Sequence, residues 1–126
     1  ASIKYTKDME LIGIFTRRDP SSIKSETNVP VYSSNELLNF KDKIDVLILC
    51  GGSATDLPTQ TPEYVQYFNV VDSFDTHAEI KNHFQAVDKN AKSSHKIGIQ
   101  VFSQYFVYMV RLSFQKEKTT HFGEKE

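Results

Sequence analysis

The sequence lacks most of the features that would assign it to a specialised class of protein. It has one cysteine, so it cannot form an internal disulfide, and its four histidines are scattered, which excludes a zinc-ribbon module. It has no apolar run of bilayer length and no basic-then-apolar signal segment at its start. We therefore expect a cytoplasmic chain with no membrane partner and no metal site, forming one domain or a fragment of a larger one.

The chain also has almost no net charge and none of the common glycine motifs. Lysine plus arginine (15) nearly cancels aspartate plus glutamate (16), so charge gives no indication of a nucleic-acid partner. Only five glycines are present, and they form no G-x-G-x-x-G, P-loop or G-x-S-x-G motif. A dinucleotide site, if there is one, lacks its usual first-strand fingerprint.

Short apolar runs alternate with helix signals along the chain. The strongest strand signal is residues 44–50, whose near-continuous apolar character predicts a parallel strand covered on both faces. Residues 9–15 and 69–72 are predicted strands, residues 29–32 a short extended piece, and residues 96–101 the start of another strand. This order predicts an α/β fold with a parallel sheet.

Three segments carry helix signals. Ser33 or Ser34 can cap a short helix over residues 35–40. Thr61, followed by a proline, marks a second helix start. The longest helix is predicted over residues 76–92. Its core-spaced residues are Ile80, His83, Phe84 and Val87.

Polar residues follow three of the predicted strands, at positions 16–18, 51–56 and 73–77. Ligands of open parallel sheets bind outside the carboxyl ends of the strands, so these clusters could line one crevice. Arg17 and Arg18 are placed to meet an adenosine 2′-phosphate, because guanidinium groups bind phosphate bidentately, or they are two surface charges at a solvated strand end. Residues 51–53 could let the backbone approach a ligand or form an ordinary turn.

The remaining candidates have two interpretations each. Asp75 and His77 could act as an acid–base pair, or Asp75 or Thr76 could merely cap the next helix. Cys50 ends a buried strand and is predicted to be a small core residue rather than a nucleophile. His83, on the apolar helix face, is expected to pack rather than to bind a ligand. No catalytic residue is assigned.

Three strings are more specific than any of these motifs: DMELIGIFTRRDP (8–20), DVLILCGGSATDLPTQTP (45–62) and NVVDSFDTH (69–77). They resemble the nucleotide-binding domain of meso-diaminopimelate dehydrogenases, and the resemblance runs without gaps over about residues 1–96. It implies a cytoplasmic, NADP-dependent, homodimeric enzyme of lysine and diaminopimelate metabolism. Such an enzyme oxidises meso-2,6-diaminopimelate to L-2-amino-6-oxopimelate and ammonia.

The resemblance also implies roles for individual residues. Thr16, Arg17 and Arg18 would hold the 2′-phosphate end of NADP. The cofactor cleft would be lined by Cys50, Gly51, Ser53, Ala54, Thr55 and Asp56. Ser73, Phe74 and Asp75 would lie where the nicotinamide meets the substrate, with Asp75 also contacting diaminopimelate. In such chemistry the protein supplies orientation and electrostatics.

The sequence departs from the family at both ends. Residues 1–96 match a truncated Rossmann-type domain lacking the family's first strand and glycine-rich turn, which would supply the amides for the diphosphate. Residues 97–126 do not match the substrate domain. If residues 97–100 are written as ATT-GGG-ATC-CAG, a one-base frame shift gives Trp-Asp-Pro-Gly, and the continuation resembles the family's WDPGxFS segment. We therefore interpret the tail as an out-of-frame remnant; the alternative is a genuine segment of a short protein.

Two further functional alternatives follow. The chain could be a non-enzymatic remnant or weak nucleotide-binding module, with no turnover but salt-sensitive binding of 2′-phosphorylated adenosine. It could also be another NADP-dependent reductase on the same fold, although the specific strings argue against this. By the main interpretation the 126-residue chain alone is inactive.

Overall fold

The computed structural model describes residues 7–101, and the chain divides into two units between Ile44 and Asp45. Each unit contains its own parallel sheet, of two strands in the first and three in the second. The predicted α/β class with parallel pairing is confirmed. The tail from residue 102 onward, including most of the segment interpreted as out of frame, lies outside the described residues.

The first unit is built on two short strands, β1 (Ile14–Thr16) and β2 (Val31–Ser33), which pair in parallel with Phe15 opposite Tyr32. A 3-10 turn (Pro20–Ser22) lies between them, and a 3-10 helix (Ser34–Phe40) follows β2. The rings of Phe15, Tyr32 and Phe40 pack together with centroids 4.8–5.3 Å apart. Together the three rings form one aromatic cluster in this unit.

Ser33 caps the 3-10 helix. Its hydroxyl accepts a hydrogen bond from the Asn35 amide at 3.3 Å, and the Glu36 carboxylate accepts one from the Ser33 amide at 3.2 Å. This reciprocal arrangement is a capping box, and it selects Ser33 from the two predicted caps.

The second unit has strands β3 (Val46–Leu49), β4 (Asn69–Asp72) and β5 (Gly98–Gln100) in the order β3-β4-β5. Helix α1 (Leu57–Tyr64) connects β3 to β4, and helix α2 (Ile80–Ser94) connects β4 to β5 after a 3-10 turn (His77–Glu79). The buried apolar side chains of this unit come from its strands, from both helices and from the segments that follow α1 and β4. They are Leu47, Leu49, Leu57, Val65, Phe68, Val70, Phe74, Val87 and Ala91.

Three local predictions are wrong. Strand β3 is not covered on both faces, because the side chains alternate and Val46 and Ile48 are 51% and 64% exposed. Helix α1 begins at Leu57, not Thr61: Pro58 occupies its first turn, and the second proline lies inside the helix. Prolines four residues apart are both compatible with a helix start, so spacing alone did not distinguish them. Helix α2 buries His83 and Val87 as expected, whereas Ile80 and Phe84 are only half-buried.

Candidate functional site

The loops after β3 and β4 lie side by side in the second unit, because Leu49 and Asp72 are paired at the ends of these strands. Ser53 joins the two loops. Its hydroxyl oxygen accepts hydrogen bonds from the amides of Asp75 (2.8 Å) and Thr76 (3.1 Å) and lies 3.0 Å from the Thr76 hydroxyl. The structure therefore brings together two of the three predicted clusters, residues 51–56 and 73–77.

The loop after β3 closes on its own helix. The Gly52 carbonyl accepts hydrogen bonds from the amides of Asp56 (2.9 Å) and Leu57 (3.1 Å), and the Gly52 amide donates to the Asp56 carboxylate at 3.0 Å. A Cβ on Gly51 would lie 2.8 Å from the Cβ of Asp56. The glycine is thus required by the approach of the loop to the start of α1, whether or not a ligand also approaches it.

The loop after β4 is fixed through its backbone. The Asp72 carboxylate accepts a hydrogen bond from the Phe74 amide at 3.3 Å, and Ser53 accepts those of the next two amides. Three consecutive N–H groups are therefore already bonded within the protein. A ligand at this loop would contact its side chains and carbonyl groups, of which the exposed Asp75 side chain is the most polar.

A buried polar pair beneath this loop was missed by sequence reasoning. Asp72 and His83 are 2% and 4% exposed, and His83 Nε2 lies 2.8 Å from Asp72 Oδ2. The His83 ring stacks on Phe74 with centroids 3.9 Å apart and planes 8° from parallel. The prediction that His83 packs is correct. The signal that could have found its partner is the aspartate at the end of the predicted strand, eleven residues earlier.

A cavity of about 460 Å³ opens between the two loops and α2. Ala54 and Pro58 line it from the first loop and helix start, Phe74 and Thr76 from the second loop, and His83 from α2. This volume lies within the range of small-molecule binding sites.

The Asp75–His77 acid–base interpretation is not supported. The His77 ring nitrogen Nδ1 lies 2.6 Å from the backbone carbonyl of Asp75, not from its carboxylate. Thr76 occupies the cap position of the 3-10 turn, in keeping with the alternative that this segment begins a helix. Asp75 and His77 are both exposed.

The structure also corrects the environment predicted for Cys50, which is exposed rather than part of the core. It follows the last residue of β3, where the alternating pattern turns it away from the buried face of Leu47 and Leu49. Ala54, Thr55 and Ser73 are exposed too, and Asp56 occupies the cap position of α1.

The arginine cluster belongs to the first unit. Arg17 and Arg18 are exposed directly after β1, and the Arg18 amide donates to the Thr16 hydroxyl at 3.1 Å. The neighbouring Asp19 accepts hydrogen bonds from the Ser21 hydroxyl (2.8 Å) and amide (3.0 Å). These two bonds hold the pKa of the Asp19 carboxyl below its ordinary value.

Two other classes of site are missing from the part of the chain that the structure describes. No group of three or more histidine, cysteine, aspartate or glutamate side chains there could hold a metal ion. No helix between residues 7 and 101 combines the length and apolarity needed to cross a bilayer.

Known proteins give a consistent picture when compared with this chain. No protein-family model matches it. The meso-diaminopimelate D-dehydrogenase of Ureibacillus thermosphaericus is 52% identical over 99 residues, which are 79% of this chain and 30% of the relative. Over these residues the chain is homologous to the meso-diaminopimelate dehydrogenases. The Corynebacterium glutamicum meso-diaminopimelate D-dehydrogenase aligns over 123 residues at 32% identity, covering 92% of this chain and 37% of the relative.

Solved structures of meso-diaminopimelate dehydrogenases and an engineered amino-acid dehydrogenase share the fold. A mutant meso-diaminopimelate dehydrogenase from Clostridium tetani, with diaminopimelate, superimposes with a TM-score of 0.71 and 45% identity over 79% of this chain and 30% of that one. An engineered D-amino acid dehydrogenase bound to NADP+ superimposes with a TM-score of 0.70 and 36% sequence identity, over 78% of this chain and 30% of that one. These neighbours confirm the Rossmann-type interpretation of the parallel sheets. The chain spans about 30% of the length of these matches.

Proposed function

We propose that this chain carries part of the NADP-binding half of a cytoplasmic meso-diaminopimelate dehydrogenase. The reaction converts meso-2,6-diaminopimelate, NADP+ and water to L-2-amino-6-oxopimelate, ammonium, NADPH and a proton. The observation that carries the proposal is the 52% identity to the Ureibacillus thermosphaericus enzyme, together with the joined loops after β3 and β4. Because the chain matches only 30% of that relative, the remaining part of the site would come from elsewhere.

The proposed cofactor contacts follow the exposed residues at the strand ends. Thr16, Arg17 and Arg18 would bind the 2′-phosphate, since exposed guanidinium groups offer paired donors to phosphate oxygens. The exposed Ala54 and Thr55 and the cavity beside Phe74 suit a flat ring, and the residues of this edge fit the cofactor. The nearby cleft positions are Cys50, Gly51, Ser53, Asp56 and Ser73. Ser53 would act mainly by holding the two loops together, because its oxygen already has three partners.

NADP+, when bound, would supply the acceptor for the hydride that leaves the substrate carbon. Asp75 would orient the substrate ammonium group, because its exposed carboxylate extends from a loop in which the amides of residues 74–76 are already bonded. A carboxylate in that position favours a cationic substrate and can take part in its proton loss.

Binding of NADP+ and NAD+ to the 126-residue chain, measured by calorimetry, tests the proposal. We expect a preference for NADP+, and we expect the double variant Arg17→Ala/Arg18→Ala to lose about tenfold or more of its NADP+ affinity while NAD+ binding stays unchanged. The matched control is Lys24→Ala, which removes an exposed cation from the same unit. Undetectable NADP+ binding by the wild-type chain, or equal losses for both cofactors, would contradict the proposed site.

For the domain organisation we propose a partial NADP-binding domain over residues 1–96 and an out-of-frame remnant over residues 97–126. Within the proposed remnant, β5 pairs in parallel with β4, but its Gln100 is 1% exposed and both of its amide atoms lack a hydrogen-bond partner among the described residues. Such a residue is unfavourable in a strand core. The DNA across codons 90–126 and upstream of Ala1 decides the matter. Codons for Trp-Asp-Pro-Gly in the adjacent frame would support the remnant, and their absence would refute it.

A further inference from the structure

The most unusual feature of the second unit is a buried ionisable pair with no part in the proposed chemistry. Asp72 ends β4 and His83 lies one turn into α2, and each is more than nine-tenths buried. Ionisable groups are rarely placed so deeply unless they are paired, since burial removes their hydration. The pair is adjacent to the loop that carries Asp75.

Each group of the pair contacts that loop in a different way. Asp72 uses one carboxylate oxygen for the Phe74 amide (3.3 Å) and the other for His83 Nε2 (2.8 Å). His83 in turn stacks its ring on the Phe74 side chain. Strand end, loop backbone, loop side chain and helix are therefore connected through four groups in direct contact.

The chemistry of the contact determines where the histidine proton lies. A carboxylate only accepts hydrogen bonds, so the bond requires an N–H on Nε2 of the imidazole. The other nitrogen, Nδ1, is buried and has no partner among the described residues. A phenylalanine would be sufficient for packing alone. The histidine instead leaves its buried Nδ1 without a partner, and what it gains is the hydrogen bond from Nε2 to Asp72.

We propose that Asp72 and His83 are positioning residues, which hold the loop of residues 73–76 in the conformation that presents Asp75 at the edge of the sheet. In this role they act through Phe74 and the loop backbone. We call the contacts of Asp72 and His83 with Phe74 the clamp. The role of Asp75 rests on the proposed function, whereas the existence of the clamp does not depend on it.

The first test needs no variant. Nitrogen-15 NMR of the histidine rings in the 126-residue chain should show the His83 proton that bonds Asp72 on Nε2. In Asp72→Asn the side-chain oxygen keeps the bond from the Phe74 amide, which turns the NH2 group toward His83 Nε2, so the ring proton should move to Nδ1. A wild-type proton on Nδ1 alone would overturn the pairing on which the proposal depends.

The second test separates positioning from general stability. His83→Phe keeps a ring to stack on Phe74 but removes the donor, and His83→Gln keeps a donor but removes the ring. The control is Val87→Ala, which removes buried volume from the same face of α2. Amide hydrogen exchange at residues 74–76 should accelerate about tenfold more than exchange in β3 for His83→Phe, with partial rescue in His83→Gln. In Val87→Ala both regions should accelerate alike.

The third measurement connects the clamp to ligand binding. His83→Phe should weaken NADP+ binding by about fivefold at a temperature where it remains folded, and Val87→Ala should not. Exchange that rises uniformly in His83→Phe would overturn the positioning role. If the wild-type chain binds no NADP+, the proposed function falls, and the exchange comparison still decides whether the clamp exists.

Discussion

Gly51 and Gly52 follow β3 side by side, but an added methyl group would meet different neighbours at each. At Gly51 the new Cβ would lie 2.8 Å from the Cβ of Asp56, whereas at Gly52 the closest atom, at 2.5 Å, is the Thr55 hydroxyl. The Asp56 Cβ cannot move without shifting the start of α1, but the hydroxyl can rotate about a side-chain bond. We expect Gly51→Ala to lower the free energy of unfolding by about 1–3 kcal/mol and Gly52→Ala by less. Urea melts of the two variants measure both, and an equal or reversed order would contradict this account.

Asp19 gives a prediction about pH at the residue scale. Its carboxyl pKa is lowered in the folded chain, first by the Ser21 hydroxyl and second by the Ser21 amide. A lowered pKa means that the bonds stabilise the fold above the pKa of the unfolded chain and that this contribution is lost as the pH falls. Ser21→Ala should raise the Asp19 pKa toward its ordinary value in a carbon-13 NMR titration. Ser22→Ala is the control, because its hydroxyl donates to the Asp19 backbone carbonyl instead, and an equal rise in both variants would refute the assignment.

Single residues were predictable where the sequence pattern is local. A serine cap at position 33 or 34 follows from the local pattern, with the structure choosing Ser33, and burial of His83 follows from its place on an apolar helix face. The Asp72–His83 bond was not predictable, because it depends on how α2 lies across the end of β4. Cys50 was misplaced because a run of apolar letters does not show which face of a strand is covered.

At the scale of elements, the capping box in the first unit predicts that Ser33 contributes more to stability than the neighbouring Ser34. Ser33→Ala removes the acceptor for the Asn35 amide, whereas Ser34→Ala leaves the box intact. We expect Ser33→Ala to destabilise the helix over Ser34–Phe40 by about 0.5–2 kcal/mol, measured as faster amide exchange in that segment. Comparable acceleration in Ser34→Ala would show that the box does not stabilise the helix.

Strand β5 contains a buried residue, Gln100, whose side-chain amide has no hydrogen-bond partner among the described residues. Gln100→Met has nearly the same shape and removes two buried polar atoms that have no partner within residues 7–101. We expect the variant to be more stable by about 1 kcal/mol, because a buried unpaired amide costs more than an apolar group of equal size. The matched control is Gln85→Met on the exposed face of α2, which should change stability little. Destabilisation by Gln100→Met in thermal melts would mean that the amide has partners outside the described part of the chain.

Parallel pairing and element type were largely predictable, but coverage and boundaries were not. The alternation of apolar runs with helix signals indicated parallel pairing, because parallel strands need crossover connections. Exposure of Val46 and Ile48 depends on which elements lie over β3, and this information is not local to the strand. The start of α1 depended on how the residue 51–56 loop folds back on its own helix.

At the scale of the whole molecule, the specific strings carried more information than composition or periodicity. Near-zero net charge and ordinary hydrophobicity fit many α/β domains, so they exclude classes of protein without choosing one. The strings containing CGGSATD and DSFDTH correspond to two loops that the structure joins through Ser53. A sequence match and a physical contact thus identify the same edge of the sheet.

This agreement predicts that the matched segment will function inside a complete relative. We expect a hybrid in which the 99 aligned residues of this chain replace their counterparts in the Ureibacillus thermosphaericus enzyme to oxidise meso-2,6-diaminopimelate with NADP+, because 52% of these residues are already identical. NADPH absorbance measures the rate. Asp75→Asn in the hybrid should lower kcat/KM by about a hundredfold or more, since it removes the carboxylate proposed to orient the substrate ammonium. Lys81→Ala, an exposed change on α2, is the matched control. A folded hybrid that binds NADP+ but loses as little activity with Asp75→Asn as with Lys81→Ala would remove Asp75 from the substrate site while leaving the cofactor assignment in place.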